Sequence, residues 1–256
     1  SSTRIMVNDD GAVDVAIGAV DLHGLRTGTA QQVAETLGIE MDEINVHTAD
    51  TESVPNTGNS AGSRITRSLG QAVYAAGNSI IEQMKEKMAA RFGVDPEYVE
   101  YSDGHFFARD NQDTRVSFKE AGAAVTQNGS NVVATASNDP NMRPANGYAM
   151  SVADVEIDPD TGKVQLTSFT LFQDVGKAVN PTQVENQMQG GAVQGLGWAL
   201  SEEYVFDDQG LMRNPSFLDY RMPTALDLPM IDCVILETPA DDGAFGIRGV
   251  GEDVLF

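Results

Sequence analysis

Asn180-Pro181 places an N-cap residue ahead of proline at the first helical position, which predicts a helix opening there and running to about Glu202. That helix contains Gly190, Gly191, Gly195 and Gly197, four glycines in eight positions. Each interior glycine costs roughly 1 kcal/mol relative to alanine, so a helix built this way gives up real stability. Something must therefore lie close against its backbone. Either a second helix packs there, or a bulky ligand lies on it, with Gln189 and Gln194 supplying amide donors and acceptors.

The rest of the chain reads as strands and helices of ordinary kinds. Thr3 to Val7 and Ala12 to Ile17 flank an Asp10-Gly11 turn and predict a β-hairpin. From Thr27 to Leu37, Ala30, Val33, Ala34 and Leu37 recur at helical spacing, with Thr27 placed to N-cap and Gly38 to end the helix. A strand over 43–47 follows. The longest helix is expected over 64–91, with Ile65, Leu69, Ala72, Val73, Ala76, Ile80 and Met84 on its inner face. Short strands and turns fill 95–147, with one brief helix near Lys119. A second hairpin, 149–157 and 163–173, turns at Asp158-Pro159-Asp160-Thr161-Gly162, its alternation fitting two sheet faces. The expected fold is α+β, with mixed sheets and long helices, as a single unit over 1–256 or two lobes, 1–147 and 148–256.

Composition narrows the function classes. The 38 acidic and 16 basic residues give a formal charge of −22, which disfavours phosphate backbones and anionic lipid, so neither nucleic acid nor membrane is an expected partner. The lone cysteine, Cys233, sits in the apolar run 230–236 and is expected to be a buried thiol. His23, His47 and His105 stand apart without a second ligand at metal spacing, so any metal must be held by another molecule. No signal peptide and no apolar stretch of transmembrane length appears, and a cytoplasmic protein is expected.

Four segments carry chemistry. Gly246-Ile247-Arg248-Gly249-Val250-Gly251-Glu252 frames one carboxylate with glycines, which makes Glu252 a candidate general base, or an incidental acid in a glycine-rich turn. Burial would raise its basicity and Arg248 would lower it. Ala61-Gly62-Ser63-Arg64 leads into the long helix and offers backbone N–H groups and a hydroxyl to an anion, or simply caps the helix. Asp21-Leu22-His23-Gly24-Leu25-Arg26-Thr27 makes a similar approach to another helix N-terminus. With the glycine-thinned helix, these would suit a chain draped over an extended, phosphate-bearing cofactor that brings its own metal. No Walker or Gly-x-Gly-x-x-Gly signature follows a strand.

These residues together resemble a specific family. Asp10-Gly11, Gly18-Ala19-Val20-Asp21, Ala34-Glu35-Thr36-Leu37-Gly38-Ile39, Ala49-Asp50-Thr51, Gly62-Ser63-Arg64, Gly70-Gln71-Ala72-Val73, Asp174-Val175-Gly176, Asn180-Pro181, Gln194-Gly195-Leu196-Gly197 and Gly249-Val250-Gly251-Glu252 occur in the order and spacing of one domain. It is the C-terminal molybdopterin-binding domain of the xanthine dehydrogenase and aldehyde oxidoreductase family of molybdenum hydroxylases. The resemblance implies molybdopterin, plain or in its cytosine dinucleotide form, with the molybdenum held by the pterin. Gln194, the loop Ala61-Gly62-Ser63-Arg64, His23, Gly24 and Gly251 are the implied cofactor contacts. Glu252 is the implied base as oxygen from water enters an electron-poor carbon of an N-heterocycle, purine- or nicotinate-like, or of an aldehyde.

Three departures stand out. His23-Gly24 replaces the family's usual Gly-Gln-Gly in a loop one residue shorter, the chain stops at Phe256 soon after the glutamate, and the preceding half of the molybdenum subunit is absent. The last two suggest the small subunit of a split enzyme similar to nicotinate dehydrogenase, or a fragment. Activity is then expected only with a second molybdenum-binding chain, a 2Fe-2S subunit and an FAD subunit. Two alternatives remain: a non-catalytic cofactor-binding or assembly module of the same fold, and a relative that binds another nucleotide.

Overall fold

The computed structural model describes residues 1–127, 130–142 and 145–255. The chain divides into two compact units, one made of Ser1–Pro144 with Asp241–Phe245, the other of Ala145–Ala240 with Gly246–Phe256. The architecture is α+β.

In the first unit, β1 (Ser2–Val7) and β2 (Val13–Ile17) form the antiparallel hairpin expected around Asp10-Gly11. Thr3, Ile5 and Val7 point inward at every second position, as strand geometry requires. α1 (Leu25–Leu37) then carries the chain across to β3 (Ile44–Thr48), which pairs parallel with β2. A parallel pair cannot be joined by a tight turn, so α1 is the crossover that this pairing needs. Gly38 ends α1 in the left-handed conformation, as the sequence suggested. Thr27 does not cap it. The N-cap is Gly24, with φ 71°, and Thr27 lies within the first turn.

α2 (Ile65–Phe92) is the backbone of this unit's core. Leu69, Ala72, Val73, Ala76, Ile80, Met84 and Met88 are buried along its inner face, while Ile65 is half-buried. They pack with α1 and a sheet of order β3-β2-β1-β7, where β7 is Val132–Ser137. A smaller antiparallel sheet joins β4 (Val99–Ser102), β5 (His105–Ala108) and β6 (Asn111–Ser117). β6 feeds α3 (Phe118–Thr126), whose start is fixed by a reciprocal capping box. Ser117 accepts from the Glu120 N–H at 3.3 Å, and the Glu120 carboxylate accepts from the Ser117 N–H at 3.1 Å.

The second unit is a three-stranded sheet backed by one helix. β8 (Tyr148–Ile157) and β9 (Val164–Asp174) form the second hairpin, and β10 (Ile231–Leu236) lies parallel to β9 on its other side. α4 (Pro181–Leu200) begins as read from the sequence, the Asn180 side chain accepting from the Gln183 N–H at 3.2 Å. Met188 and Ala192 of α4 pack against Leu166, Phe169, Leu171 and Ile231. β9, in the middle, has the most fully buried face, and β10 turns Ile231, Cys233 and Ile235 toward the same core. Every residue of β8 is exposed, contrary to the two-faced reading, because this edge strand is backed by nothing in its own unit. Cys233, on the opposite edge strand, is half-buried rather than buried, and partial burial pushes its thiol pKa up. No helix among the described residues is long and apolar enough to cross a membrane.

Candidate functional site

In the first unit, the structure pins two of the sequence-selected loops to each other. The Gly18 N–H donates to the Thr57 hydroxyl at 3.1 Å, and a β-carbon on Gly18 would fall 2.0 Å from the carbonyl oxygen of Pro55. Thr57 is itself buried, and its hydroxyl donates to the Ser2 carbonyl at 3.3 Å. From this joint the chain runs to two helix entrances of the same design. His23 and Gly24 (φ 58° and 71°) precede α1, and Gly62 and Ser63 (φ 64° and 49°) precede α2.

The two entrances differ in how anion-ready they are. No side chain caps either N-cap residue, Gly24 or Arg64. At α1, however, the Asp21 carboxylate already accepts from the Arg26 N–H at 3.0 Å, which places a negative charge where an anion would bind. At α2 the N-cap residue, Arg64, makes no side-chain cap, and the positive end of the helix field there suits an anionic group. Ala61, Gly62 and Arg64 are exposed and Ser63 is half-buried, and a β-carbon on Gly62 would meet no atom within 4 Å. Arg64 turns back on its own loop, donating to the Asn59 carbonyl at 2.8 Å, so it shapes the loop. Sequence reading missed Arg67, one turn further on. It is 6% exposed and pairs with Asp242 at 3.0 Å. An arginine at this place on a helical face gave no signal that its carboxylate partner lay 175 residues away.

In the second unit, two of the α4 glycines, Gly191 and Gly195, receive the chain's own segment 251–255. A β-carbon on Gly191 would fall 2.1 Å from the carbonyl oxygen of Gly251, and one on Gly195 would fall 2.5 Å from that of Leu255. Gln187, Gly191 and Gly195 stand four residues apart and so form one stripe, and Gln194, three residues beyond Gly191, borders it. Gln194 is exposed. Val254 is buried in the sheet–helix core and Val250 packs against it, so the segment is held from both ends. Glu252 lies between these anchors and is exposed.

Arg248 is committed elsewhere. Its guanidinium lies 3.4 Å from the Asp174 carboxylate, donates to the carbonyls of Thr238 (3.2 Å) and Asn146 (2.8 Å), and stacks over Tyr148 at 5.6 Å. Burial opposes ionisation of Asp174. The N–H groups of Thr238 and Gly176, the Thr238 hydroxyl and Arg248 together outweigh it and hold the carboxyl below its usual range. Asp253 goes the other way. Partial burial pushes its pKa up and the neighbouring Glu252 charge adds to this, against a hydrogen bond from Gln173.

In the first unit, the α2 entrance, where the N-cap residue gives no side-chain cap and space lies over Gly62, suits an anionic group. In the second unit, exposed Gln194 borders the glycine stripe and offers an amide donor and acceptor. Among the described residues, no group of three or more His, Cys, Asp or Glu could hold a metal ion.

Known proteins are similar to this chain in sequence and fold. Residues 1–229 match the family described as the molybdopterin cofactor-binding domain. Subunit gamma of the 6-hydroxypseudooxynicotine dehydrogenase complex of Paenarthrobacter nicotinovorans is 31% identical, over 97% of this chain and 32% of its own length. The fold superimposes on a copper- and molybdenum-containing carbon monoxide dehydrogenase with a TM-score of 0.89 at 26% identity, covering 99% of this chain and 33% of that one. Quinoline 2-oxidoreductase from Pseudomonas putida 86 gives 0.86 at 27% identity, again over 99% and 33%. The chain thus spans about a third of the length of the relatives it matches.

Proposed function

The chain belongs to the molybdopterin cofactor-binding domain family, and from that premise we propose that it forms part of the active site of a molybdenum hydroxylase. What supports this reading is the segment 251–255 laid on the α4 glycine stripe, with Glu252 exposed within that segment and Gln194 exposed at the border of the stripe. When bound, the molybdenum cofactor, plain or as the cytosine dinucleotide, supplies the two-electron redox chemistry. This chain's residues bind and orient it and move the proton.

Ala61, Gly62 and Ser63 at the α2 entrance would hold anionic groups through backbone N–H and hydroxyl donors, with the helix end adding favourable field. His23 and Gly24 line the α1 entrance, where Asp21 makes a neutral donor–acceptor contact the better fit. Gln194 offers both an amide donor and an acceptor. A Glu252 oxygen accepts the proton released as water-derived oxygen is transferred to an electron-poor carbon, in an N-heterocycle or an aldehyde.

We propose further that activity needs companion chains: a second molybdenum-binding polypeptide and 2Fe-2S and FAD subunits. Phe217, Leu226, Met230 and Leu218 are 98%, 97%, 83% and 82% exposed, an apolar surface that supports a covering polypeptide.

The test is Glu252→Gln in the assembled complex, with molybdenum measured by elemental mass spectrometry. Loss of turnover with molybdenum retained supports the base; retained turnover removes Glu252 from the mechanism. A complex that contains no molybdenum from cells that make the cofactor would instead favour an assembly module.

A further inference from the structure

Gln173 occupies the middle strand of the second unit's sheet and is 0% exposed. A glutamine at an inward position of a central strand is costly unless its amide is used. Here Nε2 donates to the Gly249 carbonyl at 3.1 Å and to the Asp253 carboxylate at 3.4 Å. Those acceptors flank Val250-Gly251-Glu252, so one amide grips both ends of the segment that carries Glu252.

The amide orientation is dictated by its surroundings. Two oxygens converge on it, and only the NH₂ end can serve both; reversing it would set three oxygens against one another. Among the described residues, Oε1 is buried with no hydrogen-bond partner, consistent with the amide being oriented by its two acceptors. On the other side, a β-carbon on Gly147 would fall 2.0 Å from the Asp253 Oδ2, so a larger residue at 147 would press on this carboxylate.

We propose that Gln173 is the positioning residue for Glu252, acting through the paired contacts to Gly249 and Asp253 while touching no reactant itself. The inference rests on the reading of Glu252 as the base. Its geometric part, that Gln173 restrains 249–253, stands apart from that reading.

The experiment is Gln173→Met in the assembled complex, a swap of similar volume that removes both contacts and the buried oxygen. Amide hydrogen exchange in 249–255 should accelerate about ten-fold, with molybdenum content and the global unfolding midpoint nearly unchanged. Turnover number should fall about ten-fold at unchanged KM, the response to a misplaced group. Unaltered exchange in 249–255 overturns the proposal. So does accelerated exchange with full turnover, provided Glu252→Gln is inactive. If Glu252→Gln is active, the base reading fails instead, and accelerated exchange in Gln173→Met still supports the restraint.

Discussion

The carbonyl oxygen of Gly251 occupies the place of a β-carbon on Gly191, 2.1 Å away. A glycine in mid-helix here makes room for the backbone one residue before Glu252. Gly191→Ala gains helix propensity of about 1 kcal/mol but drives a side chain into a backbone, which costs roughly 1–3 kcal/mol. The expected net result is a lower unfolding midpoint and displaced 251–255 exchange. Gly190→Ala, one residue earlier, meets no atom within 4 Å and should stabilise by up to about 1 kcal/mol. Thermal unfolding of the pair checks the contrast; equal effects would mean the segment does not rest on Gly191.

Arg248→Met should destabilise the protein at neutral pH by about 2 kcal/mol, short of the roughly 3–5 kcal/mol of a fully buried pair. The Asp174 carboxyl is depressed in the folded state, so its stabilisation is complete above its ordinary pKa and is lost as pH falls through the lower folded value. The gap between variant and wild type should therefore narrow below about pH 4. Denaturant titrations at pH 7 and pH 3.5 read this directly.

Asp253→Asn should show the opposite trend. Asp253 is raised in the folded state, so its contribution is most favourable below its ordinary value of about 3.9 and declines as pH rises through the folded value. Replacing it by the neutral isostere should leave stability unchanged in acid and increase it at neutral pH. A variant less stable than wild type at pH 7 would show that the hydrogen bond from Gln173 outweighs the desolvated charge.

Gly18→Ala should disturb both helix entrances at once, because the added carbon falls 2.0 Å from the Pro55 carbonyl. Neither loop can give way without breaking the Gly18 to Thr57 hydrogen bond. The expected outcome is a folded chain whose complex retains several-fold less molybdenum. Full metal content would separate these loops from cofactor binding.

Legibility followed the range of the interactions. The inner face of α2 could be read because it is a local period, and Asn180-Pro181 because a cap and its helix are adjacent. Thr27 misled because threonine is a good cap in isolation, whereas the left-handed Gly24 and the Asp21 carboxylate had already set the helix entrance. The α4 glycines announced a close approach. They did not announce what approached, since an irregular segment some 60 residues downstream has no period to match. Gln173 was invisible, because an inward strand position reveals its side-chain partners only when the loop it holds is in place. The motif order that marked the family was legible because it depends on sequence alone, and the family match covers residues 1–229.

The return of Asp241–Phe245 to the first unit has a consequence for synthesis. Arg67 is buried there and Asp242 is its counter-charge. On the ribosome the first unit's continuous stretch ends at Pro144, and Asp242 follows only after the whole of 145–240. At about 5–20 residues per second that interval is ~5–20 s. During it the nascent first unit lacks Asp242, so the stretch that emerges first waits on a segment that follows most of the second unit, and 246–256 then completes the second.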